Sequence, residues 1–462
     1  MADLFRILST GASSLAAQTA AAATAAHNLQ NVNTPGYARQ RVTIEATLPA
    51  ELVGNAYLGR GATLGQVTQA RDRFLEAQLP AAFGNSAGST AASDVLGAVE
   101  ALDPQATGGL GDAISGFYTA LSQLSQNPSD PSLRQAAVGA ARSLALSFQA
   151  TRRGLEDART GVDQRLVGDV SETNDLASQV ASLNGQIRAA RAGGAGEPND
   201  LLDARQKAVD RLAELTGATP VPTSEGDVSL FLAGGTPLVT SMKASVLSAQ
   251  ADPANGGHQS VRIETGGVTQ GVTPGGELGG LLSARDGALR SAVSGLDGFA
   301  WDLAGAVNAV HQAGVDLDGN PGQALFQVSS AAGAAGQLAV NAAVVADSDL
   351  LATRQPGGGT GDSSNALALL ATQSAALSGG LDSSATLSQV TSAFGAAART
   401  ASASADADAA LKGHLVTMRE STSGVSTDDE LVEMQKAQRA YEGIARVITV
   451  TSSMFDTLLA IK

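Results

Sequence analysis

The residues of this 462-residue chain that look most suited to chemistry form the stretch DLDGNPGQALFQ. Asp316, Asp318 and Asn320 alternate as the first oxygen ligands of a calcium-binding loop do. Such a loop needs glycine at its sixth position and a bidentate glutamate at its twelfth, where this chain has Pro321 and Gln327. We therefore predict a polar surface turn here, with a weak cation site as the alternative.

Other catalytic and cofactor-binding patterns are also missing from the sequence. Cysteine is absent, and the four histidines do not fall in a metal-ligand spacing; they are His27, His258, His311 and His414. No lysine follows a glycine, as a phosphate-binding loop requires, and the glycine clusters lack the spacing of a dinucleotide-binding turn. The sequence therefore predicts no enzymatic activity, no catalytic residue, no cofactor and no metal.

The charge and hydropathy of the chain argue against two classes of partner. It has 29 Lys and Arg against 44 Asp and Glu, and the net charge of -15 opposes binding to nucleic acid or to an anionic membrane surface. No window of about 18 consecutive apolar residues is present, so a membrane span is not expected. Residues 1–30 contain Arg6 as their one Lys or Arg, which does not fit the basic and apolar zones of a secretory signal.

The amino-terminal residues show the periodicity of a coiled-coil helix. Apolar and small residues alternate in steps of three and four, which is a heptad pattern. These positions are Leu4, Leu8, Gly11, Leu15, Gln18, Ala22, Ala25, Leu29 and Val32. Because most of them are small or polar, the helix buries little by itself and needs a partner.

The carboxyl-terminal residues show the same periodicity with larger side chains. The positions are Leu431, Met434, Gln438, Tyr441, Ala445, Ile448, Ser452, Phe455 and Leu459. The preceding stretch STDDE supplies capping hydroxyls and acids at the positive end of the helix dipole. We expect the two terminal helices to pair, with large side chains against small ones. The predicted interface residues are Leu4, Leu8, Leu15, Leu29, Val32, Leu431, Met434, Tyr441, Ile448, Phe455 and Leu459.

The first helix should end abruptly at a turn. Proline disfavours a helical conformation at Thr34, and Pro35 with Gly36 fits the centre of a type II turn, followed by an extended segment. Arg39 and Arg41 on that segment could bind an anion. Two solvated charges, or a salt bridge to a neighbouring subunit, are the more ordinary interpretations.

The middle of the chain changes character along its length. A helical pattern runs from about residue 94 to 215, short apolar runs with Gly and Pro predict β structure over 216–280, and helix then resumes, with 354–364 as a flexible loop. The predicted fold is mainly α and elongated, with a small inserted β domain. We expect three units: residues 1–50 with 425–462 as a terminal coiled coil, 51–215 with 281–424 as a multi-helix central domain, and 216–280 as the β domain.

Both ends of the chain resemble the axial proteins of the bacterial flagellum, the rod, hook and hook-associated proteins. The stretch AAHNLQNVNTPGYARQRV resembles their amino-terminal motif, and DDELVEMQKAQRAYEGIARVITVTSSMFDTLLAIK resembles their carboxyl-terminal helix. The positions that match the motif are Asn28, Asn31, Asn33, Thr34, Pro35, Gly36, Tyr37, Arg39 and Gln40.

The middle of the chain is similar to the hook-associated protein 1 family. The stretch QVASLNGQIRAARAGGAGEPNDLLDARQKAVDRLAEL has that family's pattern, as do GELGGLLSARDGAL and AVNAVHQAGVDLDGNPGQALF. The likeness weakens after Phe326, where many relatives carry a further β domain that we expect to be missing here.

The resemblance implies a structural protein that joins hook to filament in the extracellular flagellum. It implies ring assembly with copies of itself, contact with hook protein and with hook-associated protein 3 towards the flagellin filament, and flagellar type III export assisted by a cytoplasmic chaperone. Because the terminal seam is weak, we expect residues 1 to about 50 and about 425 to 462 to order only on assembly. A distal rod or hook protein, or a secreted enzyme with flagellar-type termini, is the alternative.

Overall fold

The fold is dominated by helices. The computed structural model describes residues 2–47, 52–53, 56–57, 61–99, 108–194 and 196–460. The helices are α1 (Ala2–Gln30), α2 (Arg73–Gly97), α3 (Leu110–Gln126), α4 (Pro131–Ala192), α5 (Asn199–Thr216), α6 (Gly276–Ser283), α7 (Arg290–Ala313), α8 (Ala334–Gln337), α9 (Ala342–Ala346), α10 (Ser364–Ala371), α11 (Ser383–Ser423) and α12 (Thr427–Ala460). A π-helical turn, Ala284–Leu289, joins α6 to α7.

The strands form small antiparallel sheets. They are β1 (Gln40–Ala46), β2 (Leu52–Val53), β3 (Ala56–Tyr57), β4 (Ala62–Gln69), β5 (Thr219–Pro222), β6 (Val228–Phe231), β7 (Pro237–Thr240), β8 (Lys243–Ala244), β9 (Val246–Ala251), β10 (Gln259–Thr265), β11 (Val268–Gly271), β12 (Phe326–Gln327) and β13 (Ala339–Val340). Strands β5-β6-β7-β8 form one sheet and β11-β10-β9 another, while β1 pairs with β4, β2 with β3 and β12 with β13. The mainly α fold with a small β insertion is as the sequence predicts.

Helix α4 gives the molecule its length. Its 62 residues span about 93 Å at the helical rise. It begins where Asp130 accepts hydrogen bonds from the backbone N–H groups of Ser132 and Leu133, with Pro131 at the first helical position. A buried stripe runs along this helix, and the Phe148 ring packs edge-on against Phe299 of α7, with 5.2 Å between ring centroids.

Two asparagines of α4 hold strands of the inserted β sheets. Asn184 donates to the carbonyl of Val228 at 2.9 Å and accepts from its N–H at 3.1 Å. Asn174 bonds both backbone groups of Leu247 in the same way, at 2.9 and 2.8 Å. Each amide therefore satisfies both backbone hydrogen-bonding groups of one strand residue.

The segment after Phe326 packs onto the helices. Asn308 of α7 bonds the N–H of Phe326 at 2.8 Å and its carbonyl at 2.7 Å, which anchors β12. Leu338 and Val344 further along are buried. The flexible loop predicted from Arg354 is anchored at its start, because that guanidinium is buried and donates to the carbonyl of Asp316.

The stretch at Asp316 forms a polar turn. One carboxylate oxygen of Asp316 accepts hydrogen bonds from the N–H groups of Asp318 and Asn320, at 3.0 and 2.8 Å. The other accepts from the Asn320 side chain at 3.2 Å. The carboxylate is thus used to close the turn itself.

The structure corrects the boundaries expected for the central helical domain. Strands β2, β3 and β4 occupy part of 51–69, where a helical domain was expected, and β4 pairs with β1. Helix α2 begins at Arg73 rather than near residue 94, because Asp72 caps the N–H groups of Phe74 and Leu75. The many small residues of α2 hid its periodicity, and Pro80 lies inside it.

Helices α2 and α6 cross at glycines. A Cβ added to Gly280 would lie 1.9 Å from the carbonyl oxygen of Gly88, and one added to Gly88 would lie 2.7 Å from that of Gly276. Backbone atoms cannot yield at these distances as a flexible side chain could. The close approach therefore requires glycine at the crossing.

We predict that Gly280→Ala lowers the stability of the central region. The added methyl group would force α2 and α6 apart, at a cost of at least about 2 kcal/mol. Gly298→Ala in α7 is the matched control, because a Cβ added there would have nothing within 4 Å. That control should stabilise the helix by up to about 1 kcal/mol. Denaturant unfolding followed by circular dichroism measures both, and equal effects would contradict the crossing argument.

A carboxylate on α4 carries an unfavourable charge. One oxygen of Asp169 is buried without a hydrogen-bond partner. Burial first, and then the neighbouring carboxylate of Glu277, raise the pKa of Asp169 to about 6. Since this pKa exceeds that of the unfolded chain, the native state binds the proton more tightly. The free energy of unfolding therefore decreases as pH rises from about 4 through about 6.

We predict that Asp169→Asn stabilises the protein in a pH-dependent manner. At pH 7.5 the free energy of unfolding should increase by about 1 kcal/mol, allowing for solvent screening at a half-buried site. The increase should disappear by about pH 4, where the native wild-type carboxyl is protonated and, like asparagine, uncharged. Asp175→Asn makes the same charge change at an exposed position of α4 and should show no such trend. Unfolding midpoints measured across this pH range test the prediction; a pH-independent effect would refute it.

Candidate assembly interface

The first and last helices pair along their lengths. Phe5 packs edge-on against Phe455, with 5.1 Å between ring centroids, and a Cβ on Gly11 would lie 2.8 Å from Cγ1 of Ile448. Near the other end of α1, Asn28 reaches α12. The helices therefore run antiparallel, and the predicted coiled-coil pairing of large against small side chains is confirmed.

The predicted face of α1 is the one that packs. Each of its seam positions is buried or half-buried, with Gly11 and Ala25 among the buried ones. Leu4, Leu8 and Leu15 are half-buried, as is Leu29. Val32 is also half-buried but lies beyond the end of α1 at Gln30, so it belongs to the turn rather than to the helix.

The structure corrects the predicted seam of α12. Leu431, Tyr441 and Leu459 were expected on it, but they are 38%, 45% and 55% exposed. The buried or half-buried stripe instead contains Glu430, Met434, Ala437, Ile444, Ile448, Thr451 and Phe455. Small Ala437 and Thr451 let α1 approach closely, and the polar bonds of Glu430 turn the helix towards them.

The turn after α1 forms as the sequence predicts. The N–H of Tyr37 donates to the carbonyl of Thr34 at 3.2 Å across Pro35 and Gly36. Gly36 has a φ of 78°, the left-handed conformation required at the third position of a type II turn. The turn brings β1 back alongside the end of α1.

Asn28 is the centre of a buried polar cluster. Its amide nitrogen donates to the carbonyl of Gln40 at 2.8 Å and to the Glu430 carboxylate at 3.0 Å. Its amide oxygen accepts from the N–H of Gln40 at 2.9 Å and from the Tyr37 hydroxyl at 2.8 Å. All four hydrogen-bonding positions of the amide are therefore used. We call Asn28, Tyr37, Arg39, Gln40 and Glu430 the terminal polar cluster.

A buried ion pair completes the terminal polar cluster. Nε of Arg39 lies 2.6 Å from the carboxylate of Glu430, which is 3% exposed, and a second arginine nitrogen lies 3.6 Å from Asp429. The Arg39 salt bridge thus lies within the chain, where the sequence left open a bound anion, a solvated charge or a salt bridge to a neighbouring subunit, while Arg41 is exposed. Removing one partner of such a buried pair costs roughly 3–5 kcal/mol.

Tyr37 stays protonated in this cluster. Burial is the main cause that raises the pKa of its hydroxyl, and the negative charges of Asp203, Asp200 and Glu430 raise it further. The hydroxyl can therefore act as the hydrogen-bond donor to Asn28 across the physiological pH range.

The β1–β4 hairpin connects the terminal helices to α5. The Gln40 side chain donates to Asp200 at 3.2 Å. Gln69 donates to the carbonyl of Asn199 at 2.9 Å, and the Asn199 side chain donates to the carbonyl of Val67 at 3.0 Å. These bonds join both strands of the hairpin to the amino-terminal end of α5.

The other predicted motif residues shape the turn. Asn31 donates to the carbonyl of His27 at 3.0 Å, and Thr34 donates to the Asn31 side chain at 3.2 Å. Asn33 and Thr34 are exposed, as are Pro35 and Gly36.

The terminal helix pair leaves several apolar side chains largely exposed. On α12 these are Leu431, Val432, Tyr441, Val447, Val450, Met454, Leu458 and Leu459, and on α1 they are Phe5 and Ile7. We call Val447, Val450, Met454 and Leu458 the outward stripe of α12. Four exposed apolar side chains at helical spacing are typical of a surface that another protein covers.

Two of the four histidines hold neighbouring elements together. Buried His311 accepts from the N–H of Ala352 at 2.9 Å, and burial lowers its pKa, which favours the neutral ring. His258 lies 2.7 Å from Asp163 and 3.4 Å from Glu156, joining the β insertion to α4. Across the described ranges, no three His, Asp or Glu side chains gather as a metal-binding group, and none of the helices carries an apolar stretch that could cross a bilayer.

Sequence reasoning missed two parts of this site. Glu430 was interpreted as an exposed helix-end acid within STDDE, although it is buried. Asn199 and Asp200 were interpreted as part of a break between helices, although they bind the hairpin. The available signal for Glu430 was its helical spacing to Met434 and Ala437, which places the three residues on one face of the helix.

Comparison with known families agrees with this architecture. Residues 96–326 match the model of the flagellar hook-associated protein FlgK helical domain, which is 231 of the 462 residues and thus half of the chain. Residues 419–461 match the model of the flagellar basal body rod FlgEFG protein C-terminal. The second match covers all of α12 and the end of α11.

Three similar proteins are each named flagellar hook-associated protein 1. The flagellar hook-associated protein 1 of Salmonella typhimurium is 33% identical over 324 residues, which are 69% of this chain and 58% of that protein. The protein of that name from Escherichia coli is 31% identical over 75% of this chain and 65% of its own length. That of Bacillus subtilis is 29% identical over 99% of this chain and 98% of its own length.

A solved structure is also similar. The flagellar hook junction protein FlgK from Burkholderia pseudomallei superposes with a TM-score of 0.50 at 33% identity, over 56% of this chain and 47% of that one. The chain thus spans somewhat more than half the length of the Salmonella relative and about half of the solved structure. The helical-domain match over half of the chain shows that the chain belongs to the flagellar hook-associated protein 1 family.

Proposed function

We propose that this chain is a structural subunit of the bacterial flagellum that joins the hook to the filament. The observation that carries the proposal is the outward stripe of α12, four exposed apolar residues on a helix that is already paired with α1. A helix pair with an apolar face on its outside needs further protein around it. Family membership identifies that protein as flagellar.

The three parts of the chain have different roles in this proposal. The terminal helix pair, in residues 1–50 and 425–462, packs with neighbouring copies into a ring and meets the hook. The central helices and the β insertion, in residues 51–424, form the outer body and make lateral contacts. The length of α4, about 93 Å, suits an outer body that bridges two layers of subunits.

The proposed position between hook and filament also suggests the partners. We propose contacts with copies of this chain, with hook protein, and with hook-associated protein 3 on the side of the filament. We also propose export through the flagellar type III route with a cytoplasmic chaperone. The proposed location is extracellular.

The helical middle favours this role over that of a rod or hook protein. The carboxyl-terminal match is to a rod-protein model, so α12 alone does not separate the members of the axial class. The match over residues 96–326 is to the hook-associated helical domain. The family is structural, and the polar clusters of the described residues are used in packing, which gives an added enzymatic role no support.

The two ends of the terminal helix pair should differ in order before assembly. The buried hydrogen bonds and ion pair of the terminal polar cluster hold the end near Asn28 and Glu430. The opposite end, near Phe5 and Phe455, has one aromatic contact and several exposed apolar residues. This refines the expectation that both termini are mobile along their whole length.

We predict that Val450→Ser with Met454→Ser abolishes incorporation at hook ends and leaves the monomer folded. Both residues are more than half exposed, so their removal costs the monomer less than about 0.5 kcal/mol. Addition of purified variant to isolated hooks, followed by electron microscopy, measures incorporation.

The matched control removes two exposed valines of the β insertion, Val246→Ser with Val268→Ser. This control should incorporate normally. Wild-type incorporation of the α12 variant would refute the proposed use of the outward stripe. Loss of incorporation by both variants would show that the effect is not specific to that stripe.

We predict a gradient of amide hydrogen exchange along α1 and α12 in the monomer. Residues 25–30 and 430–437 should exchange at least about tenfold more slowly than residues 4–10 and 450–458, because buried polar bonds hold only the first set. Exchange followed by mass spectrometry of peptides measures this. Uniform protection along both helices would contradict ordering on assembly, and uniform fast exchange would contradict the anchoring by the polar cluster.

A further inference from the structure

The apolar contacts between α1 and α12 do not strongly select one alignment. Along the heptad pattern of α1, Gly11, Ala22 and Ala25 are small residues that leave space for a larger side chain of α12. Moving α12 by one heptad would replace Ile448 at Gly11 by Tyr441 or Phe455, again a large side chain over a small one. Some other contact must therefore fix the register.

We propose that Glu430 is the positioning residue that sets the register of α12 on α1. Its carboxylate meets Asn28 of α1 at 3.0 Å and Arg39, which directly precedes β1, at 2.6 Å. A shift by one heptad would move it about 10 Å along α1, away from both partners. The carboxylate would then be buried without a partner or forced into solvent, and either outcome penalises the shifted alignment.

The partners of Glu430 cannot follow such a shift. Asn28 is fixed by both backbone groups of Gln40 and by the Tyr37 hydroxyl. The backbone N–H of Arg39 donates to the carbonyl of Ser423 at 2.8 Å, and its carbonyl accepts from the N–H of Ala70 at 2.8 Å. These contacts fix the cluster before α12 begins, so α12 is the element whose position they determine.

The register has a consequence for assembly. Since α12 is one helix from Thr427 to Ala460, fixing its first turn also fixes the height and orientation of the outward stripe. Glu430 therefore determines which surface a neighbouring copy meets. This consequence rests on the function proposed above, whereas the register itself does not.

Disulfide trapping tests the register, because the natural chain has no cysteine. Ile448→Cys is combined in turn with Leu4→Cys, Gly11→Cys or Gln18→Cys, which lie one heptad apart on α1. With Glu430 present, the 11/448 pair should oxidise readily and the other two should not. With Glu430→Leu, the 11/448 yield should fall at least about tenfold and a shifted pair should rise by a similar factor.

Two further variants make the result specific. Glu430→Gln still accepts a hydrogen bond from Asn28 and should restore the 11/448 disulfide. Glu433→Leu removes an exposed carboxylate that pairs with Lys436 at 2.7 Å on the same helix, and it should leave all yields unchanged.

Several results would overturn the register assignment. A Glu430→Leu variant that keeps the 11/448 yield within about twofold would do so. Loss of all three disulfides would do so too, because Glu430 would then hold the helices together without aligning them. Incorporation at hook ends is measured separately, so a correct disulfide pattern without incorporation would count against the proposed function and not against the register.

Discussion

The contact between Asn28 and Glu430 is the constraint on which the rest of the terminal structure depends. It joins residues 402 positions apart and brings the two ends of the chain together. A buried carboxylate is unfavourable unless it is paired and hydrogen-bonded, so the turn, β1 and the end of α11 must all be in place for α12 to dock. The position of α12 is therefore a result of several elements and not of its own apolar face.

The central region is built with few large side chains. With aromatic residues at 3% of the chain, the core depends on close approach between helices, as at Gly88 and Gly280, and on aliphatic side chains along α4. Small sheets are attached to these helices by asparagine amides that bond both backbone groups of one strand residue, at Val228, Leu247 and Phe326. Asn28 does the same for Gln40, so the terminal cluster uses a device found elsewhere in the fold.

Periodicity predicted the helices, the β insertion and the turn at Gly36 because each depends on local chemistry. It placed the seam of α1 correctly and that of α12 only in part: Met434, Ile448 and Phe455 do face α1, whereas Tyr441 and Leu431 looked like core residues and Glu430 did not. Their orientation is decided by Arg39 and Asn28, which are distant in sequence. The hairpin partner β4 and the start of α2 were missed for a related reason: pairing with β1 and capping by Asp72 outweigh weak local periodicity.

An assembling subunit must meet two requirements, and different residues of this chain meet each of them. Neighbouring copies need apolar surface to bind, but a strongly apolar surface on a free chain would bind anything. The outward stripe of α12 consists of medium-sized side chains, so each contact in the proposed ring is weak, and many copies would have to engage together for it to be stable. Weak contacts add usefully only if every copy presents them at the same height. A buried polar cluster that tolerates one alignment supplies that uniformity, which an alanine-rich seam alone does not.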